Sequence, residues 1–180
     1  MPKIIPDLKK KILDAARERI KAGEEIGFSM RSIAAECGIS PGSIYNYHKD
    51  KVSLIAAVMM DDWGRTLEQM NLSARTAVSF AKGMEELRVT LQNFIGRYRK
   101  VWHTFDNGAG TVESQNSRHR EMMAEIRKPV TALLGRFGKA EDERIAGLLG
   151  EMVLSAALHS DISPRELELL CGYIVKESKK

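Results

Sequence analysis

The segment CGISPGSIYNYHKDK, residues 37–51, decides the fold of the N-terminal part of this chain. Gly38 lies where a helix can end in the left-handed conformation. Ser40 can then cap a new helix that has Pro41 at its first position, where the missing N–H costs nothing. Two short helices joined by a three-residue turn form a helix-turn-helix. The two predicted helices are Met30–Cys37 and Pro41–His48.

The second of these helices is poor in apolar anchors, which are limited to Ile44 and one side of Tyr45. Its other residues are small or polar. Small residues allow a helix to enter the major groove of DNA, and Ser and Asn side chains can hydrogen-bond base edges or phosphates. The spacing therefore favours DNA binding, and the alternative is a plain helical hairpin inside a larger bundle.

Helical periodicity runs through nearly the whole chain, without an alternating strand pattern, and predicts an all-α fold of about nine helices. Ser29 and Asp50 should cap the second and fourth helices. Pro129 should kink or divide the helical pattern over Ser117–Phe137. The sequence SPRE at 163–166 has the spacing of a capping box and predicts the start of a ninth helix.

Composition excludes several classes of function. The formal net charge is +4, of which residues 1–51 contribute +3 from ten Lys and Arg against seven Asp and Glu. No apolar run reaches 18 residues and no signal-peptide pattern is present, so we expect a cytoplasmic protein without membrane contact. The four histidines and two cysteines lack metal-ligand spacing. We therefore predict that the protein binds neither a metal nor another cofactor. No nucleophile–base signature, carboxylate pair or phosphate loop indicates an enzyme.

A family resemblance is carried by ILDAARERI and, after a short gap, SMRSIAAECGISPGSIYNYHKDKVSLIAAV. These segments resemble the N-terminal domain of TetR/AcrR-type transcriptional regulators over about residues 6–66. The matching positions are Ile12, Leu13, Ala15, Ala16, Ser29, Met30, Ile33, Ala34, Gly38, Ile39, Ser40, Gly42, Ile44, Tyr45, Tyr47, Lys51 and Leu54.

The resemblance implies two domains joined by the fourth helix. Residues 1–50 would form a three-helix DNA-binding domain, and residues 51–180 a helical domain for effector binding and dimerisation. It further implies a homodimer that binds a palindromic operator in double-stranded DNA, most often as a repressor that a small-molecule effector releases. The alternative is a helical adaptor or ligand-binding protein that has lost DNA binding.

The resemblance also assigns roles at the DNA surface by position. Phosphate contacts would come from the start of the second helix, from the two tyrosines and from the following lysine, although Tyr45 could equally belong to the core. Base contacts would come from Ser43 and Asn46. The DNA-binding candidates are Ser29, Arg31, Pro41, Gly42, Ser43, Tyr45, Asn46, Tyr47, His48 and Lys51.

His48 departs from the family pattern, which usually has Phe at this position. That Phe packs the third helix onto the first. A histidine can fill similar space, but its polar nitrogen needs a partner. A packing role is favoured, and the alternative is a phosphate contact or a response to pH.

Two further sets of residues are candidates in the C-terminal part. Aromatic and Met side chains at helical spacing could line an effector pocket, or they could be ordinary core. The pocket candidates are Phe94, Tyr98, Trp102, His103, Phe105, Met122, Met123, Ile126 and Phe137. A predicted helix over 141–159 is apolar on more than one side, which predicts a dimer interface, the alternative being burial inside one chain. The interface candidates are Leu148, Leu149, Met152, Ala156, Leu170 and Ile174.

Overall fold

The structure is a computed structural model of the 180-residue chain. It describes residues 7–23, 27–106, 112–138 and 143–159, and beyond these only residues 165, 166, 169 and 172. Side chains are described up to residue 99 and again at 117 and from 119 onward within those ranges.

Seven α-helices and no strand occur in these described ranges, which confirms the all-α prediction. The helices are α1 (Leu8–Lys21), α2 (Met30–Cys37), α3 (Pro41–Tyr45), α4 (Lys51–Thr76), α5 (Phe80–Asp106), α6 (Val112–Arg136) and α7 (Glu143–Leu158). Of the helix predicted to start within 163–166, the structure describes only residues 165, 166, 169 and 172, which are helical. No helix in the described part of the chain is long and apolar enough to cross a membrane.

The count of about nine helices is wrong in one respect that the structure explains. Pro129 lies inside α6 and does not divide it into two helices. Proline removes one backbone hydrogen bond and costs about 3 kcal/mol in a helix interior. Ile126, Val130 and Leu133 are fully buried on both sides of the proline, and their packing offsets that cost.

The chain forms two compact units, Met1–Trp63 and Gly64–Lys180, so α4 begins in the first and ends in the second. In the first unit α1 packs on α2 and α2 on α3. Its core consists of the apolar stripes of these helices together with the first turns of α4. The side chains with no exposed surface are Ile12, Ala16, Ile33, Ala34, Ile44, Leu54 and Val58.

A buried charge cluster ties α1 to α4 inside the first unit. The Arg17 side chain is 5% exposed, and its Nε donates to Oδ1 of Asp62 over 2.6 Å. The same guanidinium donates to Asp14 of α1 and to Asp61 of α4. Asp62 is itself only 3% exposed, so its carboxylate is stabilised by the neighbouring cation rather than by water.

In the second unit α7 packs against both α5 and α6, and the core lies between the three helices. Gly83 of α5 allows a close approach to α6, because a Cβ atom there would lie 2.5 Å from Cδ1 of Leu133. Gly150 does the same between α7 and α6, where Cε of Met123 lies 3.1 Å from the Cβ position. Arg136 anchors the end of α6 by donating from Nε to the carbonyl oxygen of Ala77 over 2.9 Å.

Candidate nucleic-acid interface

The α2–turn–α3 segment is held by the side-chain caps that the sequence predicts. Oγ of Ser29 accepts the N–H of Ser32 over 3.1 Å at the start of α2, in a reciprocal capping box. Gly38 ends α2 with a φ of 71°, in the left-handed region that favours glycine. Oγ of Ser40 then accepts the N–H of Ser43 over 3.2 Å and starts α3, with Pro41 at its first position.

α3 is shorter than predicted, ending at Tyr45 rather than at His48. The N–H groups of Asn46 and Tyr47 bond to the carbonyls three residues earlier, at Ser43 and Ile44, which tightens the chain into a turn. Asn46 therefore lies at the C-terminal end of the helix and Tyr47 in the turn that follows.

One face of α3 and its following turn is open. Ile44 is fully buried and holds the helix to the first unit. Tyr45 and Tyr47 are 50% and 44% exposed, so neither ring is packed away in the core. Asn46 is exposed too, as are Pro41 and Gly42 at the start of the helix. This face offers an amide, two phenol hydroxyls and a small N-terminal turn, which are groups suited to base edges and phosphates.

Ser43 is placed less favourably for reading a base than Asn46. Its side chain is half-buried, and its Oγ lies 2.8 Å from Oγ of Ser40 in a hydrogen bond within the cap of α3. A base contact by Ser43 would have to compete with that bond or share it. Asn46 carries no such bond among those described and is the more accessible of the two.

The N-termini of α2 and α4 lie together beside α3. Ser29 and Arg31 at the start of α2 are exposed. Lys51, the first residue of α4, places its Nζ 4.5 Å from the centre of the Phe28 ring, directly before the cap of α2. Oδ1 of Asp50 caps α4 by accepting the N–H of Ser53 over 2.7 Å, as predicted. Helix N-termini with neighbouring cations form a surface that attracts phosphate.

His48 is buried, 7% exposed, and is not part of the open face. Its Nε2 has no hydrogen-bond partner among the described residues. Burial lowers the pKa of His48, and the nearby cation of Lys9 lowers it further. The position therefore favours the packing role over a direct phosphate contact.

Sequence reasoning did not identify Phe28. Its ring is 6% exposed, and it is the side chain on which the Lys51 ammonium rests. A single aromatic in a connection between helices belongs to no periodic pattern, so the only available signal was its place directly before the Ser29 cap.

Four residues of the predicted effector set are buried, and two of them are in contact. Phe94 and Tyr98 are buried on α5 with ring centroids 5.1 Å apart, and Met123 and Ile126 are buried on α6. Met122 is half-buried, and the side chains of Trp102, His103 and Phe105 lie outside the described part.

Phe137 lies apart from Phe94 of the predicted effector set. It packs edge-on against Phe80, the first residue of α5, with ring centroids 6.4 Å apart, whereas Phe94 lies near the middle of that helix. The 14 residues between Phe80 and Phe94 span about 21 Å of helix. Helical spacing gives the face of a residue but not its height along the bundle, so the place of Phe137 in one pocket with Phe94 stays a prediction.

The predicted interface residues of α7 divide between two faces. Leu149 and Ala156 are buried within the single chain, 3% and 1% exposed, against α5 and α6, so they are not part of a free face. Leu148 is 72% exposed and Met152 is half-buried. Leu170 and Ile174 lie outside the described residues.

No group of three or more His, Cys, Asp or Glu side chains in the described ranges could hold a metal ion. The absence of a metal site, which the residue spacing predicts, stays a prediction.

Comparison with known proteins finds a similarity in the first unit. Residues 12–58 match the family model described as bacterial regulatory proteins, tetR family. The HTH-type transcriptional regulator UidR of Escherichia coli K12 is 39% identical over 57 residues, which cover 32% of this chain and 29% of UidR. The match thus spans under a third of this curated relative.

Solved structures extend the similarity of fold to nearly the whole chain. A TetR/AcrR-family transcriptional regulator from Thermobifida fusca aligns with a TM-score of 0.58 at 19% identity, covering 97% of this chain and 99% of that one. FadR from Bacillus subtilis, solved in complex with stearoyl-CoA, aligns with a TM-score of 0.50 at 16% identity, covering 93% and 96%. At such identities the likeness concerns the fold alone.

Proposed function

We propose that this protein is a DNA-binding transcriptional regulator, with the open face of α3 as its reading surface. The observation that carries the proposal is the exposure of Tyr45, Asn46 and Tyr47 at the end of α3 and in its following turn, with Ile44 as the buried residue of the helix. A face that served only a hairpin within a bundle would bury its aromatic rings. The tetR-family match over residues 12–58 supports the same conclusion.

Each exposed group has a role that its chemistry suits. Asn46 can make a bidentate contact with adenine, which is the commonest amide–base pairing in the major groove. Tyr45, Tyr47 and Lys51 can hold phosphates, as hydroxyls and as a point charge, and they would fix the register of the helix on the duplex. Arg31 adds a cation at the start of α2.

The proposal is tested by binding to the DNA upstream of the protein's own coding region, followed by fluorescence anisotropy. We expect Asn46→Ala to weaken binding about 5- to 150-fold per protomer, because a good bidentate pair is worth about 1–3 kcal/mol. Asn93→Ala, which removes an exposed amide from α5, is the matched control and should bind as wild type does. Failure of the wild-type protein to bind, or equal effects of the two variants, would favour the helical adaptor instead.

We further propose a homodimer that binds a palindromic operator through two copies of α3, about 34 Å apart in successive major grooves. The open stripe of α7 supports this part of the proposal. Ile145, Leu148 and Met152 follow helical spacing, and the first two are 38% and 72% exposed. Leu148→Glu should therefore give a monomer in light scattering, whereas Val89→Glu at an exposed apolar position of α5 should leave the mass unchanged.

The last part of the proposed function is repression of transcription, which a small-molecule effector relieves. The buried aromatic pair Phe94 and Tyr98 with Met123 supports an apolar effector site in the second unit, and FadR of Bacillus subtilis is a protein of this fold that holds stearoyl-CoA. An effector that prefers one conformation of the second unit can act through α4, which is continuous between the two units. A panel of acyl-CoA thioesters and free fatty acids should contain a compound that releases the DNA, with Tyr98→Ala reducing its effect.

A further inference from the structure

One contact joins the N-termini of α2 and α4 on the proposed DNA-binding surface. The Nζ of Lys51 lies 4.5 Å from the centre of the Phe28 ring, well within the range of about 6 Å for an attraction between a cation and the face of an aromatic ring. The ring itself is 6% exposed, so its position is fixed by the packing around it. The Lys51 side chain therefore rests on a rigid support.

The stability of α4 does not account for a lysine at this position. Lys51 is the first residue of the helix, where the helix dipole is positive and a cation is disfavoured. The capping of α4 is provided by Asp50 and Ser53, through the 2.7 Å bond from the N–H of Ser53 and a 2.8 Å bond from Oγ of Ser53 to the Asp50 carbonyl. On the proposed DNA-binding surface this cation is placed to meet a backbone phosphate.

We propose that Phe28 is a positioning residue for DNA binding: its ring holds the Lys51 ammonium where it meets a backbone phosphate. This inference rests on the proposed DNA-binding function. Lysine has four rotatable side-chain bonds, and holding the ammonium in place before binding reduces the entropy lost when the phosphate is bound. Because Phe28 immediately precedes the Ser29 cap, the same contact also keeps the start of α2 beside the start of α4.

The experiment compares Phe28→Leu with Phe28→Tyr in full-length protein. Leu keeps an apolar side chain in the buried position but has no ring face, whereas Tyr keeps the ring. We measure affinity for the upstream DNA fragment by fluorescence anisotropy at one salt concentration. Phe28→Leu should weaken binding about two- to fivefold per reading head, which is about 4- to 25-fold for a dimer. Phe28→Tyr should stay within about twofold of wild type.

A second pair of variants separates positioning from structural damage. In a Lys51→Gln background the ammonium is absent, so adding Phe28→Leu should cause no further loss of affinity. An equal loss in both backgrounds would show that Phe28 supports the fold of the first unit and would overturn the positioning role. The contact is also measured without DNA, because the ring should shift the Lys51 Hε proton resonances upfield in wild type and not in Phe28→Leu.

The outcomes distinguish this inference from the function on which it rests. If wild-type protein binds the DNA and Phe28→Leu binds equally well, only the positioning role is refuted. If wild-type protein binds no DNA at all, the proposed function is refuted and the positioning role falls with it. If the Lys51 resonances do not respond to the loss of the ring, the contact itself is absent in solution and the inference fails.

Discussion

Replacing His48 by Phe should stabilise the protein, although this residue directly follows the open face of α3 and its turn. His48 is 7% exposed, and within the described part of the chain its Nε2 has no hydrogen-bond partner. A buried polar atom without a partner costs about 1–3 kcal/mol of desolvation. Phe has no such atom and keeps a flat ring in the same place.

The size of the gain follows from two opposing effects. Removing the unsatisfied nitrogen contributes about 1–3 kcal/mol, and the larger six-membered ring costs part of that if the site cannot expand. We expect a net gain of about 1 kcal/mol near pH 7.5. For a chain of this size that corresponds to a rise of about 2–4 °C in Tm. His48→Leu is a second variant, which remains informative if the phenyl ring is too large for the site.

The pH dependence of stability gives a second, independent test of the buried, neutral state of His48. Burial, with the cation of Lys9, holds the pKa of His48 below its ordinary value of 6.5 in the folded state. The unfolded chain therefore binds a proton more readily, and protonation favours unfolding. The contribution of neutral His48 to the free energy of unfolding is complete above about pH 6.5. It is lost as the pH falls towards the folded-state pKa, at up to about 1.4 kcal/mol per pH unit.

Urea denaturation of wild type, His48→Phe and His48→Leu between pH 5 and pH 8 measures both effects. The two variants should lose less stability than wild type on acidification, so the gap widens below pH 6.5. DNA affinity of folded His48→Phe should match wild type, because the buried ring makes no contact with the duplex. If neither variant is more stable than wild type and all three proteins share one pH profile of stability, the buried imidazole of His48 does not destabilise the fold.

Three other substitutions have effects that the packing determines. Gly83→Ala places a Cβ atom 2.5 Å from Cδ1 of Leu133 and should cost about 1–3 kcal/mol in urea denaturation. Gly96→Ala in the same helix meets nothing within 4 Å and should instead add about 0.5–1 kcal/mol. Arg17→Met removes the cation beside the buried carboxylate of Asp62 and should cost about 3–5 kcal/mol in the same assay.

The control for the Arg17 variant is Arg19→Met, also on α1, which breaks an exposed 3.2 Å pair with Glu36 of α2. Surface pairs contribute about 0.2–1 kcal/mol, so this change should be small. Similar losses at Arg17 and Arg19 would show that burial of the cluster has no energetic consequence. Equal effects of Ala at Gly83 and Gly96 would likewise contradict the close approach of α5 and α6.

The elements that the sequence predicts most accurately are those with local capping signals. The caps at Ser29, Ser40 and Asp50, and the left-handed Gly38, are all confirmed, because each depends on residues three or four positions apart. The end of α3 was less predictable. Nothing local distinguishes a helix that continues to His48 from one that tightens into a turn after Tyr45.

The second unit was predicted less completely, because packing between helices decides its details. Pro129 ends a helix in isolation, but buried neighbours on both sides keep α6 continuous. Leu148 and Leu149 are adjacent apolar residues, and only the positions of α5 and α6 determine which of them is covered. Phe137 has the spacing of a pocket residue, but it packs on Phe80 at the start of α5, about 21 Å of helix away from Phe94.

The central claim, that the first unit holds DNA through the N-termini around α3, is tested most directly by the salt dependence of binding. The logarithm of the association constant should fall linearly with the logarithm of salt concentration, by about 0.9 for each phosphate contact. Arg31→Gln should reduce that slope by about one for each protomer, whereas Arg99→Gln on the exposed surface of α5 should leave it unchanged. Binding that is independent of salt, or a slope that Arg99→Gln changes as much as Arg31→Gln does, would contradict the claim.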